Sequence, residues 1–303
     1  MEELNQIMNS FNKKKEDTLK TRFFTTIILI PIVIAILFLL SPEKFGFIVI
    51  IVCTLGAWEW TKFIGWKSQK KRIGFAISFT IILLMIQFSF SDITKIINEP
   101  IIIYGLWIGL IWWVITIFLT ITYPASTFLF NSVIMIILFG FLTIIPFYCG
   151  MMTLRTISYH TNTFLGSWWL LYVMLLVWGS DSGAYAFGRT IGYNKLAPKI
   201  SPNKTWEGLL GGLIISEIIS WLFITFAPVY IIPNYLKTIS IIVVIMSIFG
   251  DLTESMFKRQ SNIKDSSNLI PGHGGILDRI DSLTAAIPVF AGLNLLIFNG
   301  FSF

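Results

Sequence analysis

Between Gly250 and Ser282 an otherwise apolar chain becomes dense in charge, with Asp251, Glu254, Lys258, Arg259, Lys264, Asp265, His273, Asp278, Arg279 and Asp281. Asp251, Glu254, Ser255 and Lys258 are spaced i, i+3, i+4 and i+7, which places them on one face of a helix. Asp278, Asp281 and Ser282 repeat the i, i+3, i+4 spacing where the next apolar run begins. Between the two lies a polar loop with the turn Pro271-Gly-His-Gly-Gly275. Two acidic helix ends joined by a basic, glycine-rich loop suit a divalent metal and a polyphosphate. Loop lysines and arginines beside membrane helices also set topology. That explains most of the basic residues but not four acids at helical spacing. Carboxylates at a membrane boundary are costly unless they are paired or hold a metal.

The elements that must position these groups are membrane helices. Hydrophobic residues make up 55% of the 303 and charged residues only 13%, with a mean hydropathy of +0.78. A soluble domain carries roughly 25% charge. Apolar runs at 23–40, 45–64, 73–90, 101–122, 128–152, 164–187, 206–227, 236–255 and 282–301 predict an all-α polytopic membrane protein of about nine transmembrane helices. The first run lacks a cleavage site and reads as a retained helix. Of the 22 Lys and Arg residues, only Lys44, Lys95, Arg155 and Lys237 fall outside when the N-terminus is cytoplasmic. This asymmetry places 188–205 and 256–281 in the cytoplasm. The chain divides into a basic cytoplasmic segment (1–22), a scaffold of five helices (23–160) and a catalytic unit of four helices (161–303). The net charge of +6 sits in membrane-flanking loops and does not call for nucleic acid. Cys53 and Cys149 lie in apolar runs and read as small buried residues.

Two further polar groups stand out. In Trp178-Gly-Ser-Asp-Ser-Gly-Ala-Tyr-Ala-Phe-Gly-Arg189, the residues Asp181, Tyr185 and Arg189 share a helix face. An acid inside a membrane helix is a functional candidate, against the alternative of a structural pair with Arg189 or a lysine. Ser201-Pro-Asn-Lys-Thr-Trp-Glu-Gly208 is expected to open the seventh helix, with Ser201 as its cap and Pro202 in its first turn. Ser201, Lys204 and Thr205 at that helix N-terminus would form a phosphate seat. Glu207 is left between pairing with Lys204 and reaching a metal. Gly208, Gly211 and Gly212 predict close helix packing. Glu217, deeper in the same helix, needs a partner across a helix or subunit interface.

Ser255-Met-Phe-Lys-Arg259, Lys264-Asp265 and Pro271-Gly-His-Gly-Gly-Ile-Leu-Asp-Arg-Ile-Asp281 together resemble the signature of the phosphatidate cytidylyltransferases, or CDP-diacylglycerol synthases. Asp181-Ser-Gly-Ala-Tyr185, Ser201–Gly208 and Gly250-Asp-Leu-Thr-Glu-Ser255 also match pieces that recur in that family, while the first half resembles it only in hydropathy. The resemblance implies transfer of a cytidylyl group from CTP to phosphatidic acid, with Mg²⁺ and a monovalent cation such as K⁺. It also implies an inner-membrane homodimer. Carried onto matching positions, Asp251 and Asp278 are implied metal carboxylates, supported by Asp281 and Glu254. The charge of the substrates makes Lys204, Lys258, Arg259, Lys264 and Arg279 phosphate ligands and His273 a pyrophosphate donor. Asp181, Ser201 and Thr205 join the substrate site, and Gly274 and Gly275 let backbone N–H groups approach phosphate oxygens. Two alternatives stay open: a CTP-dependent kinase of a membrane lipid alcohol, and a transporter with an ion site at Asp181 and Glu217.

Overall fold

The computed structural model describes residues 25–90, 92, 96–228 and 233–297; the basic segment 1–22 and the chain after 297 lie outside the described residues. Among the described residues, each expected apolar run becomes a helix. They are α1 (Thr25–Leu39), α2 (Pro42–Trp60), α3 (Gln69–Phe88), α4 (Pro100–Ile121), α5 (Val133–Thr156), α6 (Leu165–Thr190), α7 (Trp206–Phe226), α8 (Pro233–Gln260) and α9 (Leu277–Gly292). Only six of them, α3 to α8, are long and apolar enough to cross a membrane, so the expectation of nine spans is corrected to six among these residues. The reasons are length and charge. α9 has 16 α-helical residues and then passes into a π-helical turn, Leu293–Ile297, where the described residues end, so its α-helical part alone falls short of the ~20 residues a span takes. α1 is shorter still, and the 19 residues of α2 include Glu43, Lys44 and Glu59.

The chain is a polytopic membrane protein. On α4, Ile101, Tyr104, Ile108, Ile111, Ile115 and Phe118 are all exposed. They recur at intervals of three and four, so one whole helix face is apolar and uncovered. Water would penalise such a stripe, whereas lipid accommodates it. By contrast α9 is buried on nearly every side, from Leu277 and Asp278 through Ala285, Ala286 and Phe290 to Gly292. It packs against α8, α5, α4, α6 and α2, and so forms the axis around which the other helices stand.

α6 and α7 make the most intimate helix pair. A Cβ on Gly212 would lie 2.9 Å from the Ser180 carbonyl, and one on Gly208 would lie 2.8 Å from the Ala184 carbonyl. The expected small-residue packing is therefore present. A feature absent from the sequence reading joins them: a hairpin of β1 (Lys195–Ala197) and β2 (Ser201–Thr205), antiparallel, with Lys195 opposite Thr205 and Ala197 opposite Ser201. Ser201 therefore does not cap α7. Thr205 does, its side chain accepting from the Gly208 N–H at 3.1 Å, a contact worth about 1 kcal/mol. The Ser201–Thr205 backbone is committed to the strand pair, so the helix starts only at Trp206.

Candidate active site

The C-terminal ends of α2, α6 and α8 and the N-terminal ends of α7 and α9 gather the charged groups. The helical spacing read from the sequence holds on α8. Ser255 Oγ donates to Asp251 Oδ1 at 3.2 Å, and Lys258 Nζ donates to Glu254 Oε2 at 2.5 Å. Lys258 also reaches Asp278 Oδ1 across the interface with α9, at 3.0 Å. One ammonium group thus ties the two acidic helix ends together. Asp281 lies within the electrostatic reach of Lys258, Asp251 and Asp181, and Glu254 within that of Asp278 and Asp281.

Lys204 comes from β2 and forms an ion pair with Asp251 Oδ2 at 2.6 Å. The pairing of β1 with β2 shifts register between Lys195 and Ala197, and within β2 Lys204 reaches Asp251 of α8 while Thr205 turns to the Gly208 N–H of α7. The expected seat of Ser201, Lys204 and Thr205 is thereby split. Lys204 enters the cluster, Thr205 is buried as a helix cap, and Ser201 stays in the hairpin. Glu207 neither pairs with Lys204 nor joins the carboxylates; it accepts from the backbone N–H groups of Tyr193 and Asn194 and from Asn194 Nδ2. Arg259 donates through Nε to the Ile200 carbonyl at 3.0 Å, clasping the hairpin to the end of α8. Arg189 donates to Tyr185 at 2.8 Å rather than to Asp181. Asp181 interacts electrostatically with Lys204, Asp251 and Arg279, which assigns it to the same cluster.

The glycine-rich loop folds back on Asp278. Its Oδ2 accepts from the Ser266 N–H at 2.9 Å, the Ser266 hydroxyl at 2.9 Å and the Gly275 N–H at 2.8 Å. Burial pushes the Asp278 carboxyl up, but Lys258 and these hydrogen bonds outweigh it and hold the group below the ordinary carboxylate value. Gly274 has φ +86°, a conformation that favours glycine, and its carbonyl accepts from the Ile270 N–H. The Gly275 N–H is spent on Asp278, so the expectation that it faces phosphate is corrected. Lys264, Asp265, Asn268, His273 and Arg279 line an open polar cavity of about 530 Å³ above this turn. His273 Nδ1 lies 2.7 Å from the Thr25 hydroxyl of α1.

Sequence reasoning missed Glu59. This fully buried residue at the end of α2 accepts from the Ile276 N–H at 3.0 Å and the Leu277 N–H at 2.7 Å, and from the hydroxyls of Ser266 and Ser267. The rule that singled out Asp181, an acid within an apolar run, applies equally to Glu59. Its neighbours are more than 200 positions away in the chain, which hid the contact.

Among the described residues no group of three or more His, Cys, Asp or Glu side chains stands in the arrangement of a metal site. The ammonium groups of Lys204 and Lys258 lie against the carboxylates instead. The donor set nevertheless fits a hard divalent cation, since Asp251, Glu254, Asp278 and Asp281 offer only oxygen. Glu254 Oε1 is in addition buried without a hydrogen-bond partner. Glu217 stands apart. It opens with Lys237 onto an apolar groove of α7 and α8, lined also by Ile214, Ile218 and Trp221.

Known proteins resemble the chain over most of its length. The model of the cytidylyltransferase family matches residues 20–297. A phosphatidate cytidylyltransferase of Haemophilus influenzae is 42% identical over 281 residues, covering 90% of this chain and 97% of the relative. One of Pseudomonas aeruginosa is 40% identical over 276 residues, covering 91% and 96%. One of Bacillus subtilis is 38% identical over 175 residues, covering 57% and 63%. With the match running across the first half as well as the charged motifs, the chain belongs to the cytidylyltransferase family, among its phosphatidate cytidylyltransferases.

Proposed function

We propose that the chain transfers a cytidylyl group from CTP to phosphatidic acid, giving CDP-diacylglycerol and pyrophosphate, at the cluster where α8 and α9 meet. The observation that carries the placement is Lys258, which joins Glu254 of one acidic helix end to Asp278 of the other. Phosphatidate is an anion at neutral pH, so its phosphate oxygen attacks the α-phosphorus without a strong base. One P–O bond forms, the bond to the β-phosphate breaks, and pyrophosphate leaves with its electrons. What the site must supply is positioning and charge compensation for two polyanions. Lys204 and Lys258 turn from their carboxylates to substrate phosphates, and Lys264, Arg279 and His273 in the polar cavity take the triphosphate. Arg259 steadies the hairpin that carries Lys204. Mg²⁺, held by Asp251 and Asp278 with Glu254 and Asp281 beside them, would neutralise charge on the leaving group.

The active unit is the helices of 161–303, which work as a homodimer in the cytoplasmic leaflet of the inner membrane. CTP enters from the cytoplasm and phosphatidate from the bilayer. A transporter reading fares worse. Asp181 belongs to the Lys204 and Asp251 cluster, whereas Glu217 faces a separate groove with Lys237, so the two do not form one ion site.

Purified protein given CTP, phosphatidate and Mg²⁺ is expected to yield CDP-diacylglycerol and pyrophosphate. Release of CDP with a phosphorylated lipid alcohol would favour the kinase alternative. For topology, single cysteines at the exposed Asn268 and Asn234, in a background lacking Cys53 and Cys149, are expected to react with impermeant reagent from opposite faces. Labelling from the same face would overturn the orientation.

A further inference from the structure

We infer that Glu59 is a positioning residue for the reaction, through which the first half of the chain sets the geometry of the glycine-rich loop and of Asp278; this rests on the reading of Asp278 as a site residue. The Glu59 carboxylate collects donors from three places in the chain's second half, the loop residues Ser266 and Ser267, Ile276 before α9 and Leu277 within it. Oε1 accepts from the Ile276 N–H and the Ser267 hydroxyl, and Oε2 from the Leu277 N–H and the Ser266 hydroxyl. Ile276 precedes α9 and Leu277 begins it, at the helix end where backbone N–H groups lack intrahelical partners and the helix dipole favours an anion. The side chain of Ile276, the residue preceding the helix, offers no cap, so Glu59 from another helix fills that role. Asp278 lies one residue further on.

The second link is Ser266. Its hydroxyl is 3.0 Å from Glu59 Oε2 and 2.9 Å from Asp278 Oδ2, so a single proton stands between the two carboxylates. Gly275 completes the fit. A Cβ there would lie 2.0 Å from Ser266 Oγ and 2.5 Å from Glu59 Oε1, so only glycine admits both groups. The loop that presents Lys264 and His273, and the start of α9 that presents Arg279, are therefore anchored by a group from α2. The resulting rigidity acts on the reaction through Asp278 rather than by contact with substrate.

The test uses the full chain in lipid nanodiscs. Glu59→Gln keeps the shape but turns an amide group toward donors. It is expected to lower kcat at least ~10-fold, to raise backbone hydrogen exchange in 264–280, and to leave exchange in α4 and α7 unchanged. Ser266→Ala removes the link but leaves Glu59 on the α9 backbone, and is expected to lower kcat by a smaller factor. The double variant should lose less than the product of the two factors, since both act through Asp278. Unchanged kcat per folded molecule in Glu59→Gln, loss of protection throughout the chain, or two factors that simply multiply would overturn the inference. Should Glu59→Gln fail to fold, Ser266→Ala decides the matter: full kcat with a normal exchange pattern would also overturn it. Asp278→Asn serves as reference. If it were fully active the site reading itself would fail, whereas an inactive Asp278→Asn beside an unimpaired Glu59→Gln would sink the role of Glu59 alone.

Discussion

Asp278→Asn is expected to lower kcat by at least ~10²-fold, the scale of losing one key electrostatic group at a reacting centre. The two oxygens of Asp278 share only the Ser266 N–H, 2.9 Å from Oδ2 and 3.2 Å from Oδ1, and otherwise differ in their partners, which makes this substitution informative. Oδ2 gathers the Ser266 N–H, the Ser266 hydroxyl and the Gly275 N–H, while Oδ1 faces the Lys258 ammonium at 3.0 Å. An asparagine can turn its carbonyl toward the three loop donors and keep the loop closed. Its amide nitrogen then faces Lys258, so the charge is lost where α8 meets α9. The variant should insert, fold and protect residues 264–280 much as the parent does. Steady-state turnover at saturating CTP, phosphatidate and Mg²⁺ is the measurement, and near-normal turnover would remove Asp278 from the reaction.

The sequence made this residue visible because helical period translates directly into shared faces. Asp251, Glu254, Ser255 and Lys258 are neighbours on α8, as their spacing requires, and Asp278 and Asp281 open the next helix. Contacts between distant segments have no such signature. Glu59 meets Ser266 and Leu277 only because α2 packs beside α9, and nothing local to Trp58-Glu59-Trp60 encodes that neighbour. The hairpin was hidden for a related reason. Ser201-Pro202 fits a helix start as well as a short strand, and the pairing of Lys195 with Thr205 decides between them. The span count differed because hydropathy does not give an α-helix its length: of the apolar run at 282–301 the described α-helix reaches only Gly292, with a π-helical turn at Leu293–Ile297 beyond it.

Lys258→Met should be the most damaging single change, because it removes the cation from both acidic helix ends at once. Lys258 Nζ lies 2.5 Å from Glu254 Oε2 and 3.0 Å from Asp278 Oδ1, and both acidic side chains are only 4% exposed. A methionine fills the aliphatic volume but leaves these carboxylates facing each other, with Asp281 close enough to add repulsion. Breaking a buried ion pair from one side costs about 3–5 kcal/mol. A loss of about 3 kcal/mol is expected here, since Lys258 keeps 15% of its side chain exposed. Turnover should fall at least ~10²-fold, because a cation for the substrate phosphates disappears along with the organisation of the site. The two effects separate in a second variant. Adding Glu254→Gln removes one stranded charge, so resistance to unfolding in SDS should return in part while turnover stays low. Recovery of turnover together with stability would mean that Lys258 only holds the helices together, and the phosphate role assigned to it would have to pass to Lys204 and Arg279.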